Sequence, residues 1–249
     1  MFKGFYNLTS GMLTQGRNLD VISNNITNVG TVGFKGDKFT ASTFDEAMWA
    51  RVGNKQKTYT DIGRQSYILA PSEQYTDYGQ GAFDETNLPL DFAIEGYGYF
   101  AVETADGRAY TRAGNFTLDN EGYLSLPGQG RVLDTNGEPI LMVSDKIRAD
   151  TSGGLYYEDG GDMFARIGVY AFADEAQLRK NAQGLFVSDA QPALTQSIVR
   201  NGMLERSNVD MVKQMVEMMA SQRAYQSAAQ VSKMYDQLMT KATNDIGRL

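Results

Sequence analysis

The sequence predicts an α+β protein: long N- and C-terminal helices paired as a coiled-coil-like domain, with an antiparallel β-rich central domain between them. Three observations carry this. Apolar residues recur at helical spacing before Gly30, they do so again after Ser207, and the middle of the chain alternates short β-type runs with Gly-bearing turns. Changes in composition then divide the chain into a helix over 1–34, an extended connector over 35–84, a β-rich region over 85–199 and a second helix over 200–249.

In the first helix Phe5, Leu8, Met12, Gln15, Leu19, Ile22, Ile26 and Val29 follow one another at steps of three and four, a narrow seam with Gln15 as its only polar member. Gly30, Thr31 and Gly33 are expected to end it, because glycine accepts a left-handed turn and Thr prefers extended backbone. The connector is rich in Lys, Gln, Thr and Tyr and holds Trp49. It has no steady period, so it reads as extended, with a short helix near 44–51.

The central region contains runs such as Asp91-Phe92-Ala93-Ile94, Tyr99-Phe100-Ala101-Val102, Ala109-Tyr110-Thr111-Arg112, Phe116-Thr117-Leu118 and Ile167-Gly168-Val169-Tyr170. Between them Ala105-Asp106-Gly107, Asp119-Asn120-Glu121-Gly122, Asp134-Thr135-Asn136-Gly137 and Asp159-Gly160-Gly161 supply the positive-φ residues that hairpins require. For the last helix, Ser207-Asn208-Val209-Asp210 reads as the N-terminal cap. No Pro or Gly follows before Gly247, so the helix would run for about 38 residues, roughly 57 Å, more than a small domain spans. It has one apolar edge through Val209, Val212, Val216, Ala220, Ala224, Ala228, Val231, Tyr235 and Leu238, and another through Met211, Met215, Met218, Gln222, Tyr225 and Ala229. One edge is expected to meet the first helix and the other something outside the chain. Without that outside surface the terminal helices should stay largely unfolded.

Composition narrows the chemistry. Lys+Arg total 23 and Asp+Glu 30, a net charge of −7, and the chain has neither Cys nor His. That removes disulfides, thiol nucleophiles, imidazole bases, Ser-His-Asp triads and Cys or His metal sites. The acidic balance argues against a nucleic-acid partner, and no apolar run approaches the ~20 residues of a membrane span, so no membrane insertion is expected. The N-terminus also lacks the apolar stretch of a cleaved signal peptide. Asp119, Glu121, Asp134 and Asp159 could be offered as calcium ligands, but their spacing fits no such loop, and turn geometry accounts for them. Gly96-Tyr97-Gly98 lacks the third glycine and the helix of a phosphate-binding turn. Glu85, Asp91 and Glu95 are the candidates for a glycosidase pair, and a structural role is the stronger reading. Arg223 and Lys233 read as a solvated face or an intersubunit contact. No cofactor and no catalytic residue is expected.

The stretch Ser23-Asn24-Asn25-Ile26-Thr27-Asn28-Val29-Gly30-Thr31-Val32-Gly33-Phe34-Lys35 resembles the amino-terminal motif of bacterial flagellar axial proteins, most closely the basal-body rod proteins of the proximal and distal (FlgF/FlgG-like) types. Gly11-Met12-Leu13 and Leu19-Asp20-Val21-Ile22 are similar to that family's first helix. Pro89 to Phe100 and Tyr110 to Phe116 are similar to its β-domain motifs, and Gly202 to Val209 with Gln222-Arg223-Ala224-Tyr225 to its C-terminal helix. Residues 36–84 and 143–165 carry no such motif. The motif positions of interest are Asn25, Asn28, Gly33, Phe34, Lys35, Gly96, Gly98, Ser207 and Asn208.

The resemblance implies a subunit of a helical protein tube in the flagellar basal body. Such a tube carries torque from motor to hook and serves as an export channel. The implied partners are further copies, other rod and hook proteins, and the flagellar type III export apparatus. The implied assembly interface comprises Phe5, Leu8, Met12, Leu19, Ile22, Ile26, Val29, Val212, Met215, Met219, Tyr225, Val231, Tyr235 and Leu238. Alternatives are a hook or other axial protein, a cell-wall glycan hydrolase, or a secreted adhesin module.

Overall fold

The computed structural model describes residues 2–43, 47–52, 59–65, 69–158, 160–181 and 183–246. They form two compact units, each assembled from separated stretches of chain. The first comprises Met1–Thr27, Asp37–Thr76 and Asp210–Leu249, and the second Asn28–Gly36 and Asp77–Val209.

The first unit contains α1 (Phe2–Thr27) and α2 (Met211–Ile246), which contact each other. Asn18 Nδ2 donates to Ser221 Oγ at 2.9 Å and Asn25 Nδ2 to Gln214 Oε1 at 3.3 Å. Seven residues forward along α1 thus correspond to seven back along α2, so the helices run antiparallel. The cap of α2 is Asp210 rather than Ser207: its Oδ1 accepts from the amides of Val212 and Lys213 at 2.9 and 3.1 Å, leaving fewer orphan donors in the first turn. Beyond the end of α1 it is Gly33, with φ 66°, that adopts the left-handed conformation.

The same unit includes β1 (Asp37–Thr43), β2 (Ala47–Val52), β3 (Tyr59–Gln65) and β4 (Leu69–Thr76). β1 pairs antiparallel with β4, and β2 with β3. The helix expected near 44–51 is therefore corrected: 47–52 is a strand, while 44–46 lie outside the described residues. Trp49, Val52, Tyr59 and Thr60 belong to the aromatic and β-branched types that suit a pleated surface, and the pairing strand overrides the weak local signal. Asn25 fastens α1 to β1, donating to Asp37 O at 2.7 Å and accepting from Asp37 N at 2.9 Å.

The second unit is β-rich. In chain order its strands are β5 (Phe83–Glu85), β6 (Phe92–Glu95), β7 (Tyr99–Thr104), β8 (Gly107–Thr111), β9 (Thr117–Leu118), β10 (Leu124–Leu126), β11 (Gly130–Val132), β12 (Ile147–Ala149), β13 (Gly154–Tyr157), β14 (Ala165–Arg166), β15 (Val169–Ala171), β16 (Arg179–Lys180), β17 (Phe186–Val187), β18 (Ala193–Leu194), β19 (Ile198–Asn201) and β20 (Met203–Glu205). The main sheet is organised on β7, which pairs with β8, β11 and β15. Residues of β7 alternate between two apolar clusters. Phe100 and Val102 join Phe92, Phe116, Leu124 and Leu155 on one side, and Tyr99 and Ala101 join Tyr110, Tyr170 and Phe186 on the other. β6 pairs with β19 and β5 with β20, so the chain's C-terminal part returns to close this unit.

Four of its connections share one design. Asp119, Asp134, Asp150 and Asn181 each accept, through Oδ1, the backbone amides two and four residues on. The glycine three residues on takes φ between 81° and 85° in all four. Asp119 and Asp134 are thus occupied by their own turns. Asp159 lies outside the described residues.

Candidate functional site

Three stretches carrying family-like motifs converge on one carboxylate. Glu205, at the end of β20, is 0% exposed. Its Oε1 accepts from Lys35 Nζ at 2.6 Å and from the Gly81 amide at 2.9 Å, and its Oε2 accepts from Arg112 Nη1 at 3.2 Å. Lys35 also donates to Gly79 O at 2.9 Å, and Arg112 to Gly96 O at 2.8 Å with its guanidinium 5.2 Å from the centre of the Tyr99 ring. Burial pulls the Lys35 ammonium below the ordinary lysine range, and the charge and hydrogen bond of Glu205 oppose that shift.

Backbone of restricted shape surrounds the cluster. Gly33 donates its amide to Glu205 O at 2.7 Å, and a Cβ there would sit 2.3 Å from the amide nitrogen of Ala113, in addition to the cost of its positive φ. At Gly81 a Cβ would lie 2.0 Å from Arg206 O. Asn208 stitches the surroundings together: its Oδ1 accepts from Gly36 N at 2.8 Å and its Nδ2 donates to Asp77 O at 2.7 Å and Gly79 O at 3.1 Å. Lys180 donates to Lys35 O at 2.8 Å and lies 4.3 Å from the centre of the Phe34 ring.

Segments matching known families lie at three places in the chain. Residues 5–35 match the family described as Flagella basal body rod protein, 93–150 the Flagellar hook protein FlgE/F/G D1 domain, and 200–245 the Flagellar basal body rod FlgEFG protein C-terminal family. Along its length the chain is 32% identical to the flagellar basal-body rod protein FlgG of Bacillus subtilis, covering 98% of this chain and 99% of that one. The chain belongs to the flagellar basal-body rod protein family. Similar relatives include the rod protein FlgG of Borreliella burgdorferi, 30% identical with 98% of each chain covered, and FlgF of Caulobacter vibrioides, 29% identical with 96% of each covered. As a rod-family subunit it is a structural, non-enzymatic protein of the flagellar basal body. Membership implies association with further copies and with other flagellar components. Among the described residues no helix is long and apolar enough to cross a membrane.

The rod-family motif residues fall into distinct places. Gly33, Phe34, Lys35 and Asn208 gather at the ion cluster, while Gly96 (φ 97°) presents its carbonyl to Arg112 and Gly98 (φ 129°) is buried beside Val169. Ser207 Oγ accepts from Val209 N at 3.3 Å, Asn25 is buried between α1, β1 and α2, and Asn28 Oδ1 accepts from Thr31 Oγ1 at 3.3 Å in the turn after α1. Glu205 and Arg112 were not among the expected site residues. The available signal was a Glu in strand alternation and an Arg within a β motif, and neither marks burial without its distant partner.

The helix candidates divide by exposure. On α1, Ile22 is 3% exposed, Leu8, Met12, Leu19 and Ile26 are half-buried, and Phe5 is exposed; Val29, just past its end, is half-buried. On α2, Val212, Met215, Met219, Tyr225, Val231 and Leu238 are exposed, with Val212 at 72% and Leu238 at 65%, whereas Tyr235 is half-buried beside Gly4. The less exposed residues of α2 are instead Gln214, Met218, Ser221, Ala228, Ala229, Ser232, Tyr235 and Met239. The contacting stripe therefore includes polar Asn18, Asn25, Gln214 and Ser221, which an apolar-edge reading passes over. Ile22, expected at the assembly interface, is already covered within one chain.

The acidic residues considered for catalysis have separate surroundings. Asp91 Oδ2 accepts from Thr86 Oγ1 at 2.6 Å, Glu95 pairs with Arg200 at 2.7 Å, and Glu85 is exposed on β5.

Proposed function

We propose that this subunit polymerises through its terminal helices into the helical tube of the rod, carries torque between motor and hook, and encloses the export channel. The observation behind this reading is the uncovered face of α2. Val212, Val216, Met219, Val231, Met234 and Leu238 remain largely exposed along a helix of 36 residues, about 54 Å, whose opposite stripe contacts α1. A contact of this kind that does not close on itself grows a filament, and flexible methionines fit slightly inequivalent neighbours.

In this reading 1–34 and 200–249 form the assembly domain, 35–84 the connector and 85–199 the central domain. The helices pair in a coiled-coil-like manner, supported by the seven-residue step between the Asn18–Ser221 and Asn25–Gln214 bonds. Phe5, Leu8, Met12, Leu19, Ile26 and Val29, together with the exposed residues of α2, would meet neighbouring subunits. The chain would reach its place through the flagellar type III export apparatus, without a nucleic-acid partner or membrane insertion. A position nearer the hook is the second reading, because a relative 27% identical over the whole chain is the hook-basal body complex protein FlhO of Bacillus subtilis.

The test is replacement of the chromosomal copy by Leu238→Asp, followed by cryo-microscopy of purified basal bodies. Loss of the rod segment with normal levels of folded protein is expected. Full-length rods containing the variant would reject the helix-face interface.

A further inference from the structure

The chain contains two Asn-Gly steps, Asn136-Gly137 and Asn201-Gly202, and the fold holds both in the same way. At the first, Asp134 Oδ2 accepts from Asn136 Nδ2 at 3.0 Å, Asp134 Oδ1 from the Asn136 amide at 2.8 Å, and Asp134 O from the Gly137 amide at 3.1 Å. At the second, Asn201 Nδ2 donates to Pro89 O at 2.8 Å and Asp91 O at 3.4 Å, while the Gly202 amide donates to Asp91 O at 2.8 Å. At each step the glycine N–H and the asparagine side-chain amide are both engaged by one neighbouring residue.

These are the groups that react when such a step deamidates. The glycine nitrogen gives up its proton and attacks the asparagine Cγ; a C–N bond forms, the bond to the side-chain amide nitrogen breaks, and ammonia leaves. Water then opens the succinimide to aspartate or isoaspartate, so that one water is consumed and one ammonia released. Glycine offers no Cβ to obstruct the closure. We propose that Asn136 and Asn201 are latent deamidation sites, kept unreactive in the folded protein by Asp134 and Asp91 and released whenever the chain is unfolded. At Asn201 the product places a carboxylate against the carbonyls of Pro89 and Asp91, where a donor now stands, at the end of the β6–β19 pair. An aged unfolded chain thereby loses the means to rebuild that junction.

The loop that contains Asn136 supplies a selective variant. Asn181 performs in its own loop the role of Asp134, accepting from the amides of Gln183 and Leu185, so Asp134→Asn retains the loop while removing the Oδ2 acceptor. The full-length protein is incubated at mildly alkaline pH, folded or in guanidinium, and conversion at each asparagine is followed by peptide mass spectrometry. Conversion at both sites should be at least about tenfold slower in the folded protein, since it requires local opening. In folded Asp134→Asn, conversion at Asn136 should rise about fivefold, the weight of one hydrogen bond, with Asn201 unchanged. Equal rates in the two solvents at either site would overturn the proposal. So would an unchanged Asn136 rate in the folded variant, or parallel acceleration at Asn201, which would trace the effect to general loosening.

Discussion

Glu205 sets two cations from distant parts of the chain around one carboxylate that water does not reach. A buried pair of this kind adds little over an apolar replacement, yet removing one partner strands the other. Glu205→Gln should therefore lower the unfolding free energy of the β-rich unit by about 3–5 kcal/mol in denaturant titrations, and adding Lys35→Met should restore part of it. A wild-type midpoint for Glu205→Gln would mean the cluster does not hold this unit together. Alkaline behaviour follows from nearby groups. Burial, with the charge of Glu175, raises the Tyr99 hydroxyl, and burial likewise raises Tyr110 and Tyr170. A raised folded pKa means stability is intact below the unfolded value of about 10 and falls as pH climbs beyond it. Lys35, lowered, acts oppositely, because between its folded pKa and the ordinary value the unfolded chain holds the extra proton. The effect of Lys35 ends at its ordinary value of about 10.4, above which only the tyrosines act, so stability should fall there, less steeply in Tyr99→Phe; melting temperatures recorded across that range check it. The family-like motifs singled out Lys35, but not its pairing or its burial, because Lys35 and Glu205 stand 170 residues apart and Arg112 and Glu205 stand 93 apart. The individual turns were legible, because an Asx residue and its glycine lie within one short loop.

At the scale of elements, α1 and α2 show what periodicity reveals and what it omits. Their existence and approximate length followed from apolar spacing and the scarcity of breakers. Which stripe would be covered did not follow, because the covering contacts include Asn, Ser and Gln side chains that an apolar pattern treats as outward-facing. The two helices consequently differ as sites for a charge. Ile22→Asp should destabilise the isolated first unit by several kcal/mol, since the carboxylate would enter a place only 3% exposed. Leu238→Asp, at 65% exposure, should change its stability by no more than about 0.5 kcal/mol while abolishing swimming. Thermal unfolding of both purified variants beside motility assays separates the cases, and equal destabilisation would assign Leu238 to the monomer's own core. The strand at 47–52 escaped prediction for another reason: its partner is another irregular stretch, so neither half announces a period.

For the whole molecule the informative fact is that both units are interleaved along the chain. Removing 211–249 deletes α2 but spares β20 and Glu205, whereas removing 203–249 takes those as well. The shorter deletion should leave slow amide exchange across 92–199, and the longer one should lose it; protection that survives both would mean β20 and Glu205 are dispensable there. The Gly33–Glu205 and Lys35–Glu205 bonds also bear on time. A chain leaving the ribosome has no carboxylate for Lys35 until residue 205 has been made, and the ends of that long loop must then find each other. Folding rates fall steeply as contacts become more distant in sequence, so the last closure of this unit is a slow step by construction. The same bond that completes the fold thereby leaves the freshly made chain an interval in which its β-rich unit is still open.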